Sequence, residues 1–357
     1  MSLLVPFLFV LMASGFSVSL EKRENSRQRS TPSARQVFEE IEKFRGGVTG
    51  PNSQSVGSLS LSVVEQFTEE ELECWHSLLK NMPPMDLDSQ TGPTLEDLAE
   101  NIRLALKARE TFPWAGKETV PFEVFKNEVL PYAVIDELRE RLPNGQSWRS
   151  LFFEKAKALL LPSTGSDTKA ATSLSDAALA LNLKAWEAFK EWGHDKIVFK
   201  SDQSPQIMSV AQVLHAGYAS CTGLSIFLVN LCRAAGIPAR MAGTPLWNTE
   251  TGGNHSWVEI WTGASGGWVF TGAAEQSPDG FNRGWFFPEP VQKQIPGDKY
   301  KAIFATSWGW RDSKSGDLLP EFPFSWTDPK KMVVRGVDRT SDYLALLPPS
   351  ESTTTTV

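Results

Sequence analysis

The stretch from Ser220 to Arg240, SCTGLSIFLVNLCRAAGIPAR, constrains this chain most. Leu224 to Cys232 is apolar on almost every face, and a helix of that kind must be buried on all sides. Whatever fold forms has to surround it. Ser220 predicts its N-cap, Gly236 its closure, and Pro238 forbids continuation. The pattern then changes period. ARMAGTP (239–245) reads as a strand and LWNTETGG (246–253) as a polar loop. NHSWVEIW (254–261) alternates in the strand manner, GASGG (263–267) makes a hairpin turn, and WVFT (268–271) pairs back. A buried helix followed by antiparallel strands predicts an α+β core over residues 195–290.

The sequence ahead of it is helical in pattern. QVFEEIEKFRG (36–46) predicts a short helix. Thr68 with Glu71, and Thr94 with Asp97, stand at capping-box spacing before apolar runs of helical period. PFEVFKNEVLPY (121–132) and AVIDELRERL (133–142) continue the helical character. LPSTGSDTKAATS (161–173) is a loop by composition. LSDAALALNLKAWEAFKEWG (174–193) predicts a helix ending at Gly193. The expected organisation is a helical region over 36–165, the core over 195–290 and a C-terminal β extension over 291–345. KAIFATSW and KKMVVRGVDRTSDY read as its strands.

The ends read differently. Leu3 to Met12 is apolar but shorter than the roughly 20 residues that span a bilayer. Small residues follow, then a polar stretch, as in a secretory signal peptide. Residues 1–19 are read as that signal, 20–35 as disordered, and 346–357, ending STTTTV, as a disordered tail. The mature chain is expected to be secreted or periplasmic, with no transmembrane segment. Its formal net charge of -7, without basic runs, argues against a nucleic-acid partner.

Three cysteines are too few for a disulfide framework. Cys221 and Cys232 on one helix would stand roughly 16 Å apart at 1.5 Å per residue, beyond disulfide reach, while a Cys221–Cys74 bridge stays open. Four His and three Cys show no ligand spacing, so no metal and no cofactor are expected. Cys221 falls in the first turn of the buried helix. The positive end of the helix dipole and the free N–H groups there favour thiolate over thiol. The same N–H groups can hold a developing oxyanion. His255, at the start of a strand in a hairpin packed on that helix, is placed to act as base. Cys232 reads as helix core. His76, His194 and His215 read as structural or surface residues. Thirteen Trp against four Tyr is unusual, and several of the Trp could line a groove near the site.

These residues together resemble the transglutaminase-like superfamily, with its papain-like arrangement of a nucleophile helix on an antiparallel sheet. The likeness is carried by Cys221 at a helix start, GIPAR (236–240) at the helix exit and HSWVEIW (255–261). It covers roughly residues 205–285. LPYAVIDE and SWRSLF resemble the helical extension of some exported members. The resemblance implies thiolate attack on an amide carbonyl through a thioester, with Cys221 as nucleophile and His255 as base and later acid. It also implies an orienting Asp in the strand after the hairpin. The aligned position here is Gly272, and Glu275 is the nearest carboxylate, ahead of Asp279 and Asn282 as a substitute. The glycine usual before the nucleophile is Ser220. Two readings of function follow. One is a cysteine-dependent hydrolase or acyltransferase acting on peptide or glycopeptide amides. The other is a catalytically eroded binding module that uses a Trp-rich cleft. A Glu275 carboxylate within hydrogen-bond reach of the imidazole would favour the first.

Overall fold

Hydroxyl caps open the long helices of the N-terminal half. The computed structural model describes residues 31–47, 59–87, 92–161, 170–309, 319–320 and 335–348. The expected signal peptide, residues 20–30 and the tail beyond 348 lie outside them. Helix α1 (Ala34–Gly47) overlies the stretch predicted at 36–46, and the single turn α2 (Leu61–Val64) precedes α3 (Glu69–Asn81). At α3 the Thr68 hydroxyl accepts from the Glu71 N–H, and the Glu71 carboxylate accepts from the Thr68 N–H at 2.8 Å. Thr94 and Asp97 repeat this reciprocal pairing at α4 (Leu95–Thr111). Each pairing satisfies two N–H groups that a helix start otherwise leaves without partners. Helices α5 (Phe122–Glu128), α6 (Trp148–Leu160) and α7 (Leu174–Lys184) complete this half.

Two helical expectations fail, each because side chains take backbone partners a helix would need. Residues 133–142 form no helix. The Glu137 carboxylate accepts from the Val134 and Ile135 N–H groups at 2.8 Å each. Arg139 donates to the Ile135 carbonyl at 2.7 Å and to buried Asp86 at 3.1 Å. Helix α7 stops at Lys184 instead of running to Gly193. The Trp186 indole donates to the Asn182 carbonyl at 2.5 Å, the carbonyl the next α-turn would use. Two short 3-10 turns then lead to Gly193, at φ +90°.

Strands β1 (Val198–Phe199) and β2 (Tyr218–Ala219) form a short parallel pair, with α8 (Val210–Ala216) between them. The buried helix α9 (Cys221–Ala234) follows, and every residue from Thr222 to Ala234 is buried. Ser220 is its N-cap by backbone, but its side chain makes no capping bond; its own N–H goes to the Gln203 side chain. One side of α9 lies on the sheet and the other on α4, α6, α7 and α8. Phe227 packs edge-on to Phe152 and Phe189, at 4.7 and 5.3 Å between ring centres. At its C-terminal end Arg149 of α6 donates to the Arg233 carbonyl at 3.2 Å, and the Trp114 indole to the Ala235 carbonyl at 3.0 Å. Gly236 closes the helix at φ +70°, where a Cβ would lie 2.5 Å from Ala115. Conformation and space both call for glycine there.

Strands β3 (Ala239–Thr244), β4 (His255–Trp261), β5 (Trp268–Thr271), β6 (Phe304–Ser307) and β7 (Arg335–Asp338) make one antiparallel sheet in the order β5-β4-β3-β6-β7. The C-terminal strands therefore extend the core sheet. Residues 340–345, expected as strand, form helix α10 (Thr340–Ala345) instead. Arg240 stands opposite Glu259 in register, and their side chains pair at 2.8 Å. Arg339 reaches the second Glu259 oxygen at 3.2 Å, and Glu128 of α5 lies 3.6 Å from Arg240. Val258 and Ile260 join the main core, while Trp257 belongs to a second apolar cluster with Trp247, Phe286 and Tyr343. The fold is thus α+β, a helical N-terminal region leading into a helix-on-sheet core.

Candidate active site

Three elements meet where α9 begins. Cys221 is the first residue of α9, His255 the first of β4, and Glu275 follows β5 by four residues. The Thr222 hydroxyl and the Ser256 hydroxyl lie 3.1 Å apart, tying the start of the helix to the start of the strand. Each tying residue follows directly on Cys221 or His255, so that contact joins the two elements beside both groups.

His255 is buried, at 6% exposure, and Nε2 lies 2.8 Å from Glu275 Oε1. Its protonated form donates there, which leaves Nδ1 for the thiol. Glu275 Oε2 accepts from the Trp285 indole N–H at 2.9 Å. The imidazole sits among the rings of Trp285, Phe286 and Trp257, at 4.9, 5.0 and 5.7 Å between ring centres.

Burial works against a Cys221 thiolate. The hydrogen bond and charge of His255, with the backbone N–H groups of Ser256 and Thr222, outweigh it and hold the thiol below its ordinary value of 9.0. Burial likewise works against an imidazolium, yet hydrogen bonds to Cys221 and Glu275 raise His255 to about 9. The two groups support each other as a thiolate–imidazolium pair. The other thiols behave oppositely. Burial pushes Cys232 up to about 12 and Cys74 higher still. All three cysteines are free, so no Cys221–Cys74 bridge forms.

Cys221 opens onto a cavity of about 570 Å³. Its walls include Phe199, Gln203, Asn254, Ala274 and Trp285. Phe199 and Trp285 are large aromatics left more than half exposed. The alternatives to Glu275 lie elsewhere. The Asn282 side chain accepts from the Phe270 N–H at 3.0 Å, and Asp279 is exposed within its own turn. His76 pairs with Glu40, and His194 bonds the His215 carbonyl. Among the described residues no cluster of His, Cys, Asp and Glu could hold a metal, and no helix is long and apolar enough to cross a membrane.

Sequence reasoning missed Asn182 and did not single out Trp285. Asn182 of α7 donates to the Gly272 carbonyl at 2.8 Å and accepts from the Ala274 N–H at 3.1 Å. The available signal was a polar residue on the apolar stripe of α7, four positions from both Ala178 and Trp186.

A helix-borne thiol, a strand-borne imidazole and an acid beyond the next strand thus line one cavity. Residues 164–273 match the transglutaminase-like superfamily, by the model of its core domain, and the chain carries that core. The match stops two residues before Glu275. No curated protein matches the chain. Among solved structures, the periplasmic domain of TgpA from Pseudomonas aeruginosa bound to ethylmercury is 19% identical, over 37% of this chain and 44% of that one, with a TM-score of 0.24. A Cytophaga hutchinsonii protein whose name assigns it to the cysteine proteases is 18% identical, over 53% of this chain and 58% of that one, with a TM-score of 0.26. The chain thus spans about half of each.

Proposed function

We propose that the protein is an exported cysteine-dependent amide hydrolase, with Cys221 as nucleophile, His255 as base and acid, and Glu275 as orienting carboxylate. The observation that carries the reading is the 2.8 Å contact from His255 Nε2 to Glu275, on an imidazole that lines the same cavity as the Cys221 thiol. That relay lets the thiolate attack an amide carbonyl while the first-turn N–H groups of α9 face the developing oxyanion. The imidazolium gives its proton to the departing amine, leaving a thioester on Cys221. His255, now neutral, takes a proton from water as water attacks the thioester, and the acid leaves with Cys221 restored. Glu275 holds the tautomer and stabilises each imidazolium.

An open cavity supports hydrolysis over amine transfer, because water reaches the thioester freely. Outside Cys221, His255 and Glu275 its polar walls are neutral, and with two exposed aromatics they suit a peptide or glycopeptide amide. Export rests on the N-terminal sequence. The placement of Glu275 also weighs against an eroded, binding-only module. The test is labelling by thiol-directed peptide probes, wild type against Cys221→Ala, with turnover of peptide amides followed in parallel. Selective labelling that vanishes in the variant is expected; equal, slow labelling of all three cysteines would overturn the reading.

A further inference from the structure

Gly272 stands where the family pattern calls for an acid, and the reason it can be glycine lies three residues on. A Cβ built on Gly272 falls 2.3 Å from Glu275 Cγ and 2.5 Å from its Oε1. The Glu275 side chain thus fills the volume a side chain at 272 would occupy. An aspartate's carboxylate oxygens lie roughly 2.4 Å from its Cβ by standard bond lengths. The oxygen that meets His255 therefore lies at the distance from that Cβ at which an aspartate would carry its own. Gly272 does not adopt a left-handed φ, so what it supplies is space.

Folding back over three residues requires a tight turn, and Ala274 makes it at φ +63°, a conformation L-residues seldom adopt. The carboxamide of Asn182 brackets that turn. Its Nδ2 donates to the Gly272 carbonyl at 2.8 Å and to the Thr271 hydroxyl at 3.1 Å, and its Oδ1 accepts from the Ala274 N–H at 3.1 Å. These partners permit only one orientation of the amide. Asn182 is buried to 1% exposure, so water does not compete for them. Its other neighbour, the Trp186 indole, stands in the 3-10 turn just past α7 and donates to the same Oδ1 at 3.3 Å.

We propose that Asn182 is a positioning residue for the Cys221–His255 pair, holding the 272–274 turn so that Glu275 supplies the carboxylate from the space Gly272 leaves open. This rests on the reading of Glu275 as the orienting acid. Asn182 touches no reacting atom. Its role is to bring a loop acid to the end point of a strand acid.

The test is the pH dependence of Cys221 alkylation by iodoacetamide, measured beside the melting temperature. It needs no knowledge of the substrate. Glu275→Gln is expected to raise the alkylation midpoint by about one pH unit, read as roughly tenfold slower labelling below it. Asn182→Ala is expected to raise it likewise and to add nothing further in the Glu275→Gln background. Gly272→Ala, which crowds Glu275 without touching Asn182, carries the same expectation should Asn182→Ala fail to fold. Gly272→Asp with Glu275→Ala moves the acid onto the strand end and is expected to restore the wild-type midpoint. If Asn182→Ala lowers only the melting temperature, or Gly272→Ala leaves the midpoint in place, the positioning role is wrong while the acid assignment stands. If Glu275→Gln itself moves nothing, both fall, and that result is distinct from the first.

Discussion

Strand β4 carries two ion pairs, and they are built on opposite principles. Glu259 meets Arg240 directly across the sheet, and both side chains are almost fully buried with Arg339 and Glu128 beside them. His255, four residues earlier on the same strand, meets Glu275 from a loop, and that carboxylate is 34% exposed. The first pair is fixed by register and closed to water. The second has one wall open to the cavity and depends on a turn to aim it. A pair that holds the fold can be sealed. A pair proposed to exchange protons with a substrate has to be reachable, and its geometry must come from support behind it.

The largest effect expected at the open pair is that of Cys221→Ala, which should abolish turnover and probe labelling while leaving the melting temperature close to wild type. Calorimetry and labelling on one preparation check both. At the sealed pair, Arg240→Ala should destabilise the fold by about 3 kcal/mol, the low end for breaking a buried pair, because buried Glu259 keeps only Arg339 as a partner and buried Glu128 loses Arg240. Denaturant titration reads this. A loss below about 1 kcal/mol, the scale of an exposed pair, would erase the contrast between the two.

The pH profile sharpens the comparison further. The Cys221 thiol ionises below 9.0, and His255 keeps its proton up to about 9, so the competent ion pair exists between the two titrations. Turnover should rise with ionisation of the thiol, level off, and fall near pH 9 as the imidazolium is lost. A His raised above its unfolded value stabilises fully below about 6.5, and that contribution disappears as pH rises through about 9. A His255→Gln variant should lack that part of the decline in a pH series of melting curves. The smallest effect belongs to the supporting turn. Ala274→Gly removes the cost of a left-handed alanine, about 1 kcal/mol, partly offset by the greater freedom of glycine in the unfolded chain. A melting temperature within a few degrees of wild type is expected.

What could be read from the sequence tracks the same division. Helix α9 and strands β3 to β5 follow from short-range rules: an all-round apolar run, closure by Gly236 and Pro238, and strict alternation. Cys221 and His255 were legible because they begin those elements. The capping boxes at Thr68 and Thr94 were legible for the same reason. The 133–142 segment misled because its helical pattern is overruled by Glu137 and Arg139, whose partners include residues distant in sequence. Asn182 could not be connected with Glu275 at all, since 92 residues intervene between positions 182 and 275. Glu275 itself could be named only as the nearest carboxylate, because nothing in a linear sequence tells how a loop bends.

The C-terminal end of α9 has a consequence for how the chain can be divided. Arg149 and Trp114, both from the helical half, satisfy the carbonyls of Arg233 and Ala235, and Phe152 covers one face of Phe227. The boundary marked by the family match at residue 164 is therefore one of ancestry and not of autonomy. A fragment cut there would keep the thiol, the imidazole and the acid, but lose the wall against which the helix of Cys221 is pressed. The helical half is in that sense the missing third layer of the core, supplied by a different stretch of the same polypeptide.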